Sequence, residues 1–313
     1  MANVSPEFNL GTEHIKGRVE SFFQDEQSNA GLKMKGMALL RRLALVSCLA
    51  TLGNVAPAEA SPSHSIEKLL KEVSNSYQQS SNWSGYEASA PNYLDFVKEA
   101  WVVPSVSCTI AETDSSVWVG VGTGTSSSDI LYQTGVAINC DLGTPSYKAW
   151  WEEVPGNTEQ DYTGVTVRPG DKIVTEVLPH SSDGVDLYVY DFPNNGSPYF
   201  NWVKETVIGR STNPSKVECI VERPELSTLN NSFYALLTNF GTIDFPADSI
   251  TDSNNRGCDV VANNTDHIIS STGSGLTGIT RIDMYDSDLN KPIATTSTQT
   301  STGEYNVMWQ GYN

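Results

Sequence analysis

A carboxylate can take up and return a proton, whereas a carboxamide cannot titrate but can donate and accept hydrogen bonds. Two carboxylates sit together in Ser215-Lys216-Val217-Glu218-Cys219-Ile220-Val221-Glu222-Arg223-Pro224. Valine and isoleucine at 217, 220 and 221 favour a strand, and Pro224 ends any ladder it joins. Side chains alternate across a strand, so Glu218, Ile220 and Glu222 share one face and Val217, Cys219 and Val221 the other. At about 3.3 Å per residue the two glutamates stand roughly 13 Å apart, too far to share a proton. Taken alone, the stretch is also the pattern of an outward strand face with two solvated carboxylates. The carboxamide is Gln133, in Leu131-Tyr132-Gln133-Thr134-Gly135-Val136. Hydrolysis of an amide needs a base for the water proton, a donor for the developing oxyanion and an acid for the leaving amine. An ionised glutamate can do the first and, once protonated, the last. A glutamine can donate from its NH₂ to the oxyanion while its oxygen holds the water. By itself Gln133 would pass for a polar strand residue satisfied by its neighbours.

Together the two segments resemble those of the glutamic peptidases, the eqolisin family of secreted acid endopeptidases. That family carries a Leu-Gln-Thr-Gly-Val-like segment and a Glu-Trp-Ile-Val-Glu-like segment. Further stretches are similar: Ser81-Asn82-Trp83-Ser84-Gly85, Ser116-Val117-Trp118-Val119-Gly120, Tyr147-Lys148-Ala149-Trp150-Trp151-Glu152, Asn239-Phe240-Gly241-Thr242-Ile243 and a tail from Arg281 to Trp309. The resemblance runs in order from about Ser80 to Trp309. It implies that Gln133 and Glu222 are the catalytic pair, that Trp83, Trp118 and Glu152 bind or orient substrate, and that the fold is a sandwich of two antiparallel sheets. It implies neither metal nor cofactor. Trp150 is expected in the core. Three aspartates of the family pattern are replaced here by Gly122, Ala137 and Lys148, and its tryptophan between the two glutamates by Cys219. The first three changes bear on the charge around the site. The last weakens packing behind the catalytic strand unless a disulfide replaces it.

The 313 residues include 37 acidic and 19 basic ones, for a formal charge of −18. Residues 1–60 hold six of each sign, so the excess lies wholly beyond them. Such a charge argues against nucleic acid or anionic membrane as a partner. Protein or peptide substrates and a monomeric state are expected. Residues 34–53 have a basic start and an apolar run too short to span a bilayer, with Ala58-Glu59-Ala60 as a small-residue cleavage site, so 34–60 is expected to be a signal peptide. Residues 1–33 remain an unexplained extension, and an exported chain would begin near Ser61. Export places Cys108, Cys140, Cys219 and Cys258 where disulfides persist, with three connectivities open.

Ile66, Leu69, Leu70 and Val73 recur at helical spacing, which predicts one short helix within 61–80, either a propeptide or a docked N-terminal element. From Ser81 to Asn313 short runs of Val, Ile, Tyr, Phe and Trp alternate with polar turns, and no linker or repeat divides them. Strands are expected at 96–103, 117–121, 164–167, 172–178, 185–190 and 199–208, with turns at Arg168-Pro169-Gly170-Asp171 and His180-Ser181-Ser182-Asp183-Gly184. The fold class is therefore all-β, one antiparallel sandwich domain over 81–313.

Other hydrolase chemistries do not assemble. The chain has no Asp-Thr-Gly pair, no His-Glu-x-x-His and no Gly-x-Ser-x-Gly elbow, and His180 and His267 lie in polar, turn-like contexts. The competing reading is a non-catalytic carbohydrate-binding sandwich, which suits the aromatics and the polar turns but leaves Gln133 and Glu222 without a role.

Overall fold

The computed structural model describes residues 76–312, apart from 93, 110, 124–129, 181–183, 198, 209–213, 228–231, 247–256, 270–275 and 301–302. The described residues belong to one compact unit and contain no helix. The expected signal peptide and residues 61–75 of the expected helix lie outside them. The end of that helix is instead a strand.

In chain order the strands are β1 (Ser76–Ser80), β2 (Trp83–Ser89), β3 (Leu94–Val102), β4 (Thr113–Thr123), β5 (Ile130–Asp141), β6 (Thr144–Val154), β7 (Asn157–Asp161), β8 (Lys172–Pro179), β9 (Val185–Phe192) and β10 (Asn201–Val207). They continue as β11 (Pro214–Glu222), β12 (Glu225–Ser227), β13 (Ser232–Tyr234), β14 (Thr242–Phe245), β15 (Asp259–Ala262), β16 (Thr265–Ile268), β17 (Thr277–Asp286), β18 (Lys291–Thr296) and β19 (Tyr305–Trp309). The larger sheet runs β14-β19-β18-β17-β2-β11-β4-β5-β6-β7, with β1 added against β17. The smaller runs β10-β9-β8-β3-β15-β16, and β12-β13 is a separate hairpin. All pairs are antiparallel except β1 with β17.

The alternation read along 217–222 is what the packing uses. Val217, Cys219 and Val221 face the core between the sheets, among Trp101, Ile173, Leu187 and Val189. Ile220 belongs to a second, smaller cluster on the opposite face, with Trp118, Trp150, Ala137 and Ile282. Trp150 is thus buried as expected, but on the site side of the larger sheet, where its indole N–H donates to Ser116 Oγ at 2.9 Å.

Two disulfides form, Cys108–Cys140 and Cys219–Cys258. The second ties β11 of the larger sheet to the residue before β15 of the smaller one, across the core. A covalent bridge therefore stands where the family pattern has a tryptophan.

One expected strand is absent. Residues 164–167 form no ladder, although Val167 is buried and Val165 packs on the core. The turn after it forms as read, closed by Asp171 N–H to Arg168 O at 3.1 Å and Arg168 N–H to Asp171 Oδ2 at 2.8 Å.

Candidate active site

β11 lies between β2 and β4, so its outer face is flanked on both sides by side chains of known register. Glu222 is opposite Trp83 on β2 and Ser116 on β4. Glu218 is opposite Glu87 and Gly120, Gly120 is opposite Gln133, and Gln133 is opposite Glu152. Gln133 is therefore level with Glu218, and Glu222 lies four residues further along the strand. What links Gln133 to Glu222 is Glu152. Its Oε2 accepts from Gln133 Nε2 at 2.6 Å, and its charge acts on Glu222.

Accessibility separates the two glutamates. Glu218 is 4% exposed, and its Oε2 is buried without a hydrogen-bond partner. Burial pushes its carboxyl from 4.5 up to about 7; Glu87 and Glu222 push the same way and Lys216 opposes them. Glu222 is only part-buried and is gripped by two donors, Asn82 Nδ2 on Oε1 at 2.8 Å and Trp118 Nε1 on Oε2 at 2.7 Å. Desolvation also raises Glu222 from 4.5 to about 7, against the pull of the Trp83, Trp118 and Asn82 donors and with a further push from Glu152. The Trp83 indole N–H favours the carboxylate without completing a hydrogen bond of good geometry. Burial likewise raises Glu152, with the Gln133 amide and the Glu159 backbone opposing. A group that must touch water and substrate is better served by Glu222 than by Glu218.

Gln133 is buried, one N–H is engaged by Glu152, and its Oε1 has no partner. Trp83 and Trp118 meet edge to face, with ring centroids 5.3 Å apart. Two glycines shape the seat of Trp118. A Cβ on Gly135 would lie 2.6 Å from Trp118 Cβ, and one on Gly120 would lie 2.8 Å from Trp118 Cζ3. Gly120 leaves room for the ring itself, and Gly135 for the Cβ from which it springs.

The five residues singled out above lie on one sheet face in two groups: Trp83, Trp118 and Glu222 in direct contact, and Gln133 and Glu152 as a hydrogen-bonded pair level with Glu218. It adds Asn82. Its signal in the sequence was its place beside Trp83 in a matched segment, masked because asparagine there also reads as a turn residue. The turn is real, since Ser80 Oγ accepts from the N–H of Asn82 and Trp83 and donates to Asn82 Oδ1. With Oδ1 occupied, the amide nitrogen of Asn82 faces Glu222.

The departures from the family pattern also take shape. Lys148 pairs with Asp161 at 2.7 Å, both half-exposed. Ala137 is buried beside Trp150. A Cβ at Gly122 would stand 3.7 Å from Glu218 Oε1, so an aspartate there would crowd another carboxyl. His180 contacts Asp186, which also binds Lys204 and Thr206, in the smaller sheet.

A two-sheet β-sandwich bearing a part-buried carboxyl and a half-satisfied carboxamide on one face of its larger sheet has the makings of an acid–base hydrolase. The family model of the peptidase A4 family matches residues 81–307. The chain belongs to that family, the glutamic peptidases or eqolisins, and is a hydrolase acting on peptide bonds; this sets the carbohydrate-binding reading aside. Among solved structures it is similar to scytalido-glutamic peptidase bound to a peptide-based transition-state analogue. That likeness has 19% identity and a TM-score of 0.57, and covers 74% of this chain and 98% of the other. SCP-B, an eqolisin in complex with the tripeptide Ala-Ile-His, matches at 18% identity and a TM-score of 0.54, with the same coverage. No curated protein sequence matches the chain. Among the described residues no helix is long and apolar enough to cross a membrane.

Proposed function

We propose that the chain is an exported acid endopeptidase in which Gln133 and Glu222 carry the chemistry. Export is supported by two disulfides, which persist in oxidising compartments. The formal charge of −18 fits a monomer acting on protein or peptide chains, with neither nucleic acid nor membrane as a partner.

With a pKa of about 7, Glu222 holds its proton throughout the acid range. It thus starts the cycle as an acid, where the bare sequence suggested a base. Its proton passes to the scissile carbonyl oxygen as water adds to the carbon. The carboxylate left behind takes a proton from that water, giving a neutral diol and restoring the acid. Glu222 then gives its proton to the amide nitrogen and recovers one from a diol hydroxyl as the C–N bond breaks. Carboxylic acid, amine and protonated Glu222 result, so the cycle balances. Gln133 offers its second N–H to the carbonyl oxygen and its unpartnered Oε1 to the water, while Glu152 fixes the amide's orientation. Trp83 and Trp118 flank the carboxyl and supply the apolar walls.

The observation that carries this reading is the state of Gln133, one N–H anchored and the oxygen unpaired, on the same sheet face as the gripped carboxyl of Glu222. Cleavage of a denatured protein by the purified chain across pH 2–9 tests it. Activity is expected in acid and to fall as pH rises through about 7, where Glu222 loses its proton. No cleavage at any pH, or activity undiminished in the Glu222→Gln variant, would sink it.

A further inference from the structure

Next to Glu222 the chain carries a buried cation that the chemistry above does not use. Arg223 is 7% exposed. Its Nε donates to Ser81 O at 2.7 Å, its Nη1 pairs with Asp286 Oδ2 at 3.2 Å, and its guanidinium lies 5.1 Å from the centre of the Tyr234 ring. Its backbone N–H donates to Asn82 O at 2.9 Å. One residue thus holds both carbonyls of the Ser81-Asn82 turn. Asp286 is itself fixed, since its Oδ1 accepts from the N–H of Asp288 and Leu289 in the turn between β17 and β18. The Leu289 N–H and Arg223 outweigh desolvation and hold its carboxyl below the usual range, so the pair is ionic.

We propose that Arg223 is a positioning residue for Glu222: anchored on Asp286, it clamps the Ser81-Asn82 turn so that the Asn82 amide stays on the Glu222 carboxyl. The geometry explains why a buried guanidinium is needed. The turn directs two carbonyl oxygens toward Arg223, where only a donor can satisfy them, and the planar fork reaches Ser81 and Asp286 together. The anchor, Asp286, is the last residue of β17 and is held by the turn that follows it, so the clamp is set before substrate arrives. The inference rests on Glu222 as the proton-transferring group. Facing that carboxyl are Asn82 from the β1–β2 turn, Trp83 from β2, Trp118 from β4 and Glu152 from β6, with Glu218 on its own strand and Arg223 just past the end of that strand.

Titration of ¹³C-labelled glutamate side chains by NMR, in the whole chain, reads the clamp directly, with Glu222→Gln used to identify the Glu222 signal. In Arg223→Gln the amide of Asn82 is released, and Glu222 should titrate about one pH unit higher, since a hydrogen bond to the charged form is lost. The alkaline limb of kcat/KM should move up with it, kcat should fall about tenfold, and KM should change little. Asp286→Asn separates positioning from plain charge. Freeing the Arg223 charge would by Coulomb attraction lower the Glu222 value, whereas loosening the clamp raises it. Asn82→Ala should reproduce the rise, and the Asn82→Ala, Arg223→Gln double variant should go no further than Asn82→Ala alone. Unchanged titration of Glu222 in Arg223→Gln, or a fall in Asp286→Asn, overturns the clamp even if stability drops. Titration that moves while Glu222→Gln remains active leaves the clamp standing and overturns the role of Glu222 in the reaction.

Discussion

Replacing Glu218 by glutamine removes a titrating group from the sheet while keeping its shape. In the folded chain this carboxyl holds its proton up to about pH 7, against an ordinary value of 4.5. At about 1.4 kcal/mol per tenfold difference in proton affinity, that gap is worth about 3 kcal/mol of pH-dependent stability, a figure suited to a side chain almost wholly removed from water. The sign follows from which state binds the proton more tightly. Folded Glu218 does, so its contribution is fully present below pH 4.5, declines as pH rises and is gone once pH passes 7. Glutamine has nothing to lose over that range. Urea unfolding at pH 4 and pH 8.5 should show wild type and Glu218→Gln of similar stability in acid, with the variant ahead by roughly 2–3 kcal/mol at the higher pH. Glu99, buried and pushed well up by desolvation, and Asp191, raised to about 6, titrate in both proteins and cancel in the comparison. Parallel loss of stability in the two proteins would refute the assignment of Glu218 as a buried, protonated carboxyl.

Five more outcomes are expected. Glu222→Gln should lower kcat by about 10²–10⁴ with folding preserved, and Gln133→Glu should also lose activity, because an ionised carboxylate cannot donate to the carbonyl oxygen; single-turnover assays beside circular dichroism check both. Replacing Cys219 and Cys258 together by serine should cost about 2–4 kcal/mol in denaturant unfolding, as expected for a bridge spanning 39 residues, and no cost would mean the bridge adds nothing to the core. Gly135→Ala should displace Trp118 and abolish cleavage, with loss of the Trp118 environment visible in near-ultraviolet circular dichroism. Chelators and inhibitors directed at serine or cysteine nucleophiles should leave cleavage unchanged, since neither a metal nor an activated nucleophile enters the cycle; inhibition by a chelator would contradict it.

Much of the site was legible because a strand has period two. Once Val217 and Val221 are assigned to a core, Glu218, Ile220 and Glu222 must share the other face, and they do. The same rule misled at 164–167, where Val167 buries itself from a loop laid over the core, without a partner strand. Alternation reports burial, and burial is not confined to ladders. The pairing of Ser76–Ser80 with Thr280–Met284 was beyond reach, since nothing local in either segment encodes a partner some two hundred residues away. Nor could spacing along the chain say that Gln133 would stand level with Glu218, because register between strands is set by the whole sheet. Asn82 and Arg223 were in view as letters, but an asparagine in a turn and an arginine before a proline have commoner explanations than holding a carboxyl.

The seat of Trp118 has a consequence for how this site can change over generations. Trp118, Gly120 and Gly135 form a mould and its casting: the ring fills the space a side chain at Gly120 would claim, and the base of the Trp118 side chain and the Val117 carbonyl fill the space beside Gly135. A side chain at Gly120 strikes the indole, one at Gly135 strikes the Val117 carbonyl and the Cβ of Trp118, and any single replacement of Trp118 releases Oε2 of Glu222. No one-step route leads from this arrangement to another that still grips the carboxyl, so the three positions are expected to persist or to be replaced together. Of the positions that depart from the family pattern, Ala137 is held by the same buried cluster, whereas Gly122 and Lys148 lie outside it. Gly122 and Lys148, with no such packing partner, are where change around the site is expected to be tolerated first.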